Sequence, residues 1–204
     1  MRERSGVDAA SLPGAEERSL LRDSLRGFLV EHWPADQAVG RGREPEAIAR
    51  VWSQLVDQGL AGLGGEPLEG GLRELAVAME ELGRGACPAP LLGAGLANLA
   101  LAGAEAASAK ELLAQLHAGR ARLCWSFGEL DPSAGAAQLT WSGDVLSGTL
   151  RFVDAAEAAT HLVVARSGGR PGLAVVALGG HDASRMVSTR ALGADGWAEI
   201  LLAN

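Results

Sequence analysis

The chain has 204 residues and a formal net charge of −7, from 18 Lys and Arg against 25 Asp and Glu. The basic residues are scattered, which argues against the footprint of a nucleic-acid binder. Nearly half of the residues are hydrophobic, enough for a proper core and against disorder of the whole chain. Cys87 and Cys124 are the only cysteines, and His32, His117, His161 and His181 never come in ligand spacing, which excludes a disulfide scaffold and argues against a metal site. With no apolar signal region and no run of bilayer length, the expectation is a cytoplasmic protein with no membrane partner.

Residues 1–14 read as a disordered lead. From Ala15 to Glu31, Leu20, Leu21, Leu25, Phe28 and Leu29 fall on one stripe between charges, predicting a first amphipathic helix that Pro34 ends. A polar loop through Gly40 and Gly42 leads to a second helix starting near Pro45, with Ile48, Val51, Trp52, Leu55 and Val56 as its apolar side and Gly59 as its stop. Leu72, Leu75, Ala76, Met79 and Leu82 repeat the spacing, with Glu80 and Glu81 on other faces, until Gly83 and Gly85. The glycine-rich crossing between these helices resembles a phosphate cradle only superficially. It lacks a P-loop lysine and carries Glu66 and Glu69, so its glycines are read as turn-makers.

After Pro90 the run LLGAGLANLALAGA is apolar nearly all round, predicting a helix buried inside a bundle, and Glu105 to Ala118 follows with Leu112, Leu113 and Leu116 on one side. His117 sits at that helix's C-terminal end, where the helix dipole favours a partial positive charge. Near Gly119 the period changes. Seven short runs rich in β-branched and aromatic residues, separated by Gly, Pro, Asp and Ser, predict antiparallel sheets in a barrel or sandwich, with turns such as Ser142-Gly143-Asp144. The expected fold class is therefore α+β in two domains: an N-terminal all-α helical bundle over 15–118 and an antiparallel β-barrel or sandwich over 119–204.

The ordered series Trp52, Leu55, Gly59, Leu60, Gly62, Leu63, Gly70, Gly71, Glu80, Glu81, Leu82, Gly83, Arg84, Pro88 and Pro90 resembles the N-terminal helical domain of the acyl-CoA dehydrogenase family. The helices-then-strands order resembles that family's first two domains, and its C-terminal helical domain has no counterpart here. The resemblance implies FAD as cofactor, an acyl-CoA or acyl-carrier thioester as substrate, and oxidoreductase chemistry of fatty acid metabolism.

It also places the flavin along two segments. Phe127 and Gly128 stand in the first, where Gly128 replaces a threonine. Phe152, Val153 and Asp154 stand in the second, where Phe152 keeps the aromatic and Asp154 replaces a hydroxyl residue. By residue type alone Phe152 reads rather as a core aromatic, and only the register of the resemblance brings the flavin reading level with it. Glu129 and Asp154 receive no proton-transfer role, and no catalytic residue is assigned. The family's glutamate base lies in the C-terminal domain, so this chain alone is expected to be inactive and to hold FAD weakly, as a fragment or as a subunit of a homo- or hetero-oligomer with a chain carrying those helices. Two other functions stay open: a non-catalytic structural or acyl-thioester-binding partner with an eroded flavin site, and a flavin-dependent hydroxylase of the same architecture.

Overall fold

A computed structural model describes residues 14–65, 70–126, 139–142, 145–154, 159–166, 172–178, 184–191 and 194–202. The expected lead over 1–14 lies outside them except for Gly14, as do Glu66, Glu69 and the Gly143-Asp144 turn. The helical part comprises α1 (Ala15–His32), α2 (Ala38–Arg41), α3 (Pro45–Asp57), a 3-10 turn (Leu60–Gly62), α4 (Leu72–Arg84), α5 (Leu91–Leu101) and α6 (Ala107–His117). Helix α3 starts at Pro45 and stops before Gly59, whose φ of 83° closes the helix in the left-handed conformation that glycine adopts without cost. The short α2 replaces part of the expected loop; four residues are too few for a periodic signal, but Ala38 is buried.

Two apolar stripes differ from expectation. On α1 the buried residues are Leu25, Phe28 and Leu29, whereas Leu20 is 65% exposed. Five residues from Leu25 is about 140° around a helix, so Leu20 faces away from the contact. On α4 the buried set is Leu75, Val77, Ala78, Leu82 and the charged Glu81, while Leu72 and Ala76 are exposed. The reason is ionic. Arg22 and Arg26 of α1 cross to α4 and grip Glu81, with Arg22 also on Glu80 and Arg18 reaching Glu74, so this interface is a mixed one that rotates α4 away from its purely apolar stripe.

The β part holds β1 (Leu123–Ser126), β2 (Thr140–Ser142), β3 (Val145–Asp154), β4 (His161–Arg166), β5 (Gly172–Ala177), β6 (Ser184–Ala191) and β7 (Ala194–Leu202). They form a three-stranded sheet ordered β1-β4-β5 and a four-stranded sheet ordered β2-β3-β7-β6. Every pairing is antiparallel as expected except β1 with β4, which is parallel. The chain leaves β1 for the other sheet before returning as β4, and such a crossover restores the same direction where a tight hairpin reverses it.

One face of β1 and β4, through Leu123, Trp125 and Val163, joins the helical core. The opposite face, through Cys124, Leu162 and Val164, packs on Leu150, Val153, Ala198, Ile200 and Leu202 of the second sheet. Strand β1 is thus buried on both faces. Its sequence LCWS shows no alternation for that reason.

Candidate functional site

The site suggested by the sequence lies where β1 ends and β3 runs past it. Phe127 and Gly128 follow β1 directly but lie outside the described residues. Their anchor, Ser126, is buried at the strand's end. In β3 the main chain of Phe152, Val153 and Asp154 is placed, whereas the side chains of Phe152 and Asp154 lie outside the described residues. Val153 is fully buried in the core between the sheets.

Strand β3 is not regular there. Leu150 pairs with Ile200 and Val153 with Ala198, so Arg151 and Phe152 both stand opposite Glu199. Such a two-against-one bulge leaves main-chain hydrogen-bonding capacity without a ladder partner. Main-chain donors and acceptors beside the buried end of a second strand are the chemistry that the heteroatom edge of a flavin ring requires, and to this extent the described residues fit that group.

Helix α5 packs on β1 from the face opposite to β3. The indole N–H of Trp125 donates to the Gly93 carbonyl at 3.1 Å, and a Cβ on Gly93 would collide with the Leu123 carbonyl oxygen. Helix and strand therefore approach more closely than any residue but glycine permits at position 93. Helix α5 is buried in the bundle as expected along Leu91, Ala94, Ala97, Asn98 and Leu101, but one side is open: Leu92 and Leu99 are 40% and 51% exposed. Seven residues apart, they share one stripe, and Leu96, half-buried, lies between them.

The single polar side chain of α5, Asn98, is instead buried. Its amide donates to the carbonyls of Ala61 at 2.7 Å and Leu63 at 2.8 Å. Its oxygen lies 2.8 Å from His117 Nε2. Since that oxygen only accepts, the proton must sit on Nε2, so His117 serves as a packing partner at the end of α6. The sequence reading passed over Asn98; the signal was a lone amide in an otherwise apolar helix, which has to be satisfied if buried.

Glu81 also lies off the apolar stripe of the sequence, yet it is 1% exposed. Arg26 donates from Nε and Nη2, and Arg22 from Nε, to its two oxygens at 2.8–3.0 Å. Hydrogen bonding from Arg26, then its charge and the bond from Arg22, outweigh desolvation and hold the carboxyl below its usual range. That pattern fixes a charged strut between helices and supplies no acid or base.

Other ionisable groups lie away from this region or are inert. Burial pushes the Cys87 thiol up to about 11. Cys124 is buried against the His161 carbonyl. His161 is pushed down by burial, with Nδ1 2.8 Å from the Thr160 hydroxyl. Among the described residues no group of three or more His, Cys, Asp or Glu could hold a metal ion, and no helix is long and apolar enough to cross a membrane.

A helical bundle seated through a glycine contact on the first strand of a two-sheet β part defines a helices-then-strands class of chain. The model for the acyl-CoA dehydrogenase N-terminal domain matches residues 15–120, just over half of the sequence. This chain belongs to the acyl-CoA dehydrogenase family.

It is 32% identical over 108 residues to the acyl-CoA dehydrogenase IpdE2 of Mycobacterium tuberculosis, covering 48% of this chain and 32% of that protein. Its fold is similar to a variant of the Tcur3481-Tcur3483 steroid ACAD, with TM-score 0.76 and 28% identity over 92% of this chain and 55% of the other. The ChsE4-ChsE5 complex of M. tuberculosis shares the fold, with TM-score 0.73 and 16% identity over 96% of this chain and 55% of the other. The chain thus spans about half the length of these solved structures and matches about a third of that curated relative.

Proposed function

We propose that this chain is the helical-plus-β part of an FAD-dependent oxidoreductase acting on the CH–CH bond of an acyl thioester, and that the remaining helices and the catalytic base come either from further residues of the same polypeptide or from a partner chain. The observation that carries this reading is the family match combined with the place where the end of β1 and the bulged β3 come together. A bound flavin supplies the hydride acceptor for the β-carbon. In this chain Phe152, Val153 and Asp154 together with the Phe127-Gly128 segment would hold the ring. Removal of the α-proton needs a base, and none is assigned here because Glu81, the buried carboxylate, is already held by arginines.

Partner dependence is the finer part of the proposal. One relative of the same fold was solved as a complex of two named chains, ChsE4 and ChsE5. By the family resemblance, Gly128 and Asp154 each remove a side-chain hydroxyl from the flavin site. Each lost bond costs about 0.5–1.5 kcal/mol, which together weaken binding roughly ten- to a hundredfold.

The isolated 204-residue chain is therefore expected to purify with little or no FAD and to self-associate or co-purify with a partner. Adding the partner restores a stoichiometric flavin band in the visible spectrum. A full yellow band without a partner, or a monodisperse monomer at high concentration by light scattering, refutes partner dependence. A reconstituted complex that still lacks flavin favours the second reading, a non-catalytic binding partner, for which the substitutions at Gly128 and Asp154 speak.

A further inference from the structure

Among the described strands the two sheets have four edges, and three of them carry features that keep an edge from pairing with another chain. Strand β2 is three residues long. Strand β1 has four residues, all buried. Strand β6 contains Arg185 and Arg190 and breaks register between Thr189 and Ala191. Strand β5, GLAVVA, has none of these features: it holds no charge and no proline, and its register with β4 runs unbroken from Gly172 to Ala177. Among the described residues β4 is its only strand partner, so the N–H and C=O of every second residue point outward.

The side chains of β5 add an apolar surface to that edge. Val175 pairs with Val163, which the helical core covers completely, whereas Val175 itself is 42% exposed and Leu173, on the same face, is 38% exposed. Ala177 on that face is exposed too. The helices therefore cover β4 and leave β5 as an open ledge. Charge singles out the same hairpin: between Glu157 and Asp182 the sequence has no Asp or Glu, the longest such interval in a chain of net charge −7. Two copies that repel elsewhere bring no carboxylates together here.

We propose that β5 is a self-association edge, occupied by β5 of a second copy in antiparallel pairing about a two-fold axis through Val175. An open main-chain edge is satisfied by a strand and not by a helix face, and a two-fold contact is self-complementary. This axis sets Val175 against Val175 of the second copy, and Leu173 against Ala177 of the second copy twice over, so all three exposed residues gain a partner on their own face. The alternative register centred on Ala174 also keeps the faces together but leaves Ala177 outside the shared ladder. Antiparallel pairing further sets Arg166 of the two copies at opposite ends of the joined sheet, roughly 20 Å apart along the strands and beyond the reach of screened repulsion. The inference does not use the flavin reading; it names the surface through which the chain self-associates.

The test measures the mass of the 204-residue chain by sedimentation velocity over a concentration series, for the parent, Val175→Lys, Val145→Lys and Val175→Cys. Val145→Lys places the same new charge on β3, where Val145 is 48% exposed. The parent is expected to form dimers, Val175→Lys to weaken them at least tenfold without lowering the unfolding temperature of the monomer, and Val145→Lys to stay within twofold of the parent. Val175→Cys is expected to give a disulfide-linked dimer under mild oxidation, whereas the parent, whose Cys87 and Cys124 are buried, gives none. A monomeric parent, a Val175→Lys dimer as tight as the parent's, an equal loss in Val145→Lys, or a Val175→Cys chain that stays unlinked each overturns the inference. If Val175→Lys fails to fold, the Val175→Cys linkage decides, since it forms only where the two strands meet at that residue. Parent dimers that ignore Val175→Lys remove this edge and leave partner dependence standing, and the flavin content of the same samples reports on the flavin proposal separately.

Discussion

Replacing Asn98 tests how the helical bundle is tied together. The side chain is 2% exposed and makes three hydrogen bonds, to the carbonyls of Ala61 and Leu63 and from His117. Neutral bonds of this kind contribute about 0.5–1.5 kcal/mol each, and the two carbonyls are left buried without donors when the amide goes. Asn98→Ala should therefore cost about 3 kcal/mol, and for a chain of this size about 6–12 °C of unfolding temperature.

Asn98→Asp separates hydrogen bonding from side-chain volume. The carboxylate has no hydrogen to give and would face two carbonyl oxygens in a buried place, so its folded pKa rises above the unfolded value of about 3.9. A raised folded pKa means that the folded state binds the proton more tightly. The penalty is therefore full above the folded pKa and is relieved as pH falls toward the unfolded value. Thermal unfolding followed by circular dichroism between pH 5 and 8 should show Asn98→Asp below Asn98→Ala at pH 8, with the gap narrowing at pH 5. An Asn98→Ala within 1 kcal/mol of the parent, or two variants that coincide at every pH, would refute the reasoning.

Two further perturbations follow from the same packing. Glu81 has a folded pKa held below its ordinary value of 4.5 by Arg26 and Arg22, so its contribution is present above that value and is lost as pH falls through the folded pKa; urea midpoints of the parent should drop on acidification more steeply than those of Glu81→Gln, and parallel curves would contradict the strut. Gly93→Ala drives a methyl into the Leu123 carbonyl at the helix–strand contact, whereas a Cβ at Gly27 meets nothing within 4 Å; the first should destabilise by about 1–3 kcal/mol and the second should stabilise by about 0.5–1 kcal/mol, and a neutral Gly93→Ala would mean that α5 and β1 are not closely docked.

Sequence by itself determined the kinds of element and their order, because these depend on local pattern. The three-four spacing of Val51, Trp52 and Leu55, the proline at the start of α3, the glycine at its end, and the loss of helical period near Gly119 are all properties of a few neighbouring residues. The ordered glycines and the Glu80–Arg84 run likewise sufficed for the family. Tertiary structure decided which side of each helix is inside. Leu20, Leu72, Leu92 and Leu99 are exposed while Glu81 and Asn98 are buried, because burial of a polar side chain depends on partners far away in sequence: Arg22 and Arg26 for one, the carbonyls of Ala61 and Leu63 for the other. The same holds for the parallel β1–β4 pair and the bulge in β3. Whether a strand is paired in one direction or the other, and whether one residue stands opposite two, is settled by the strand across from it, and no local spacing encodes that partner.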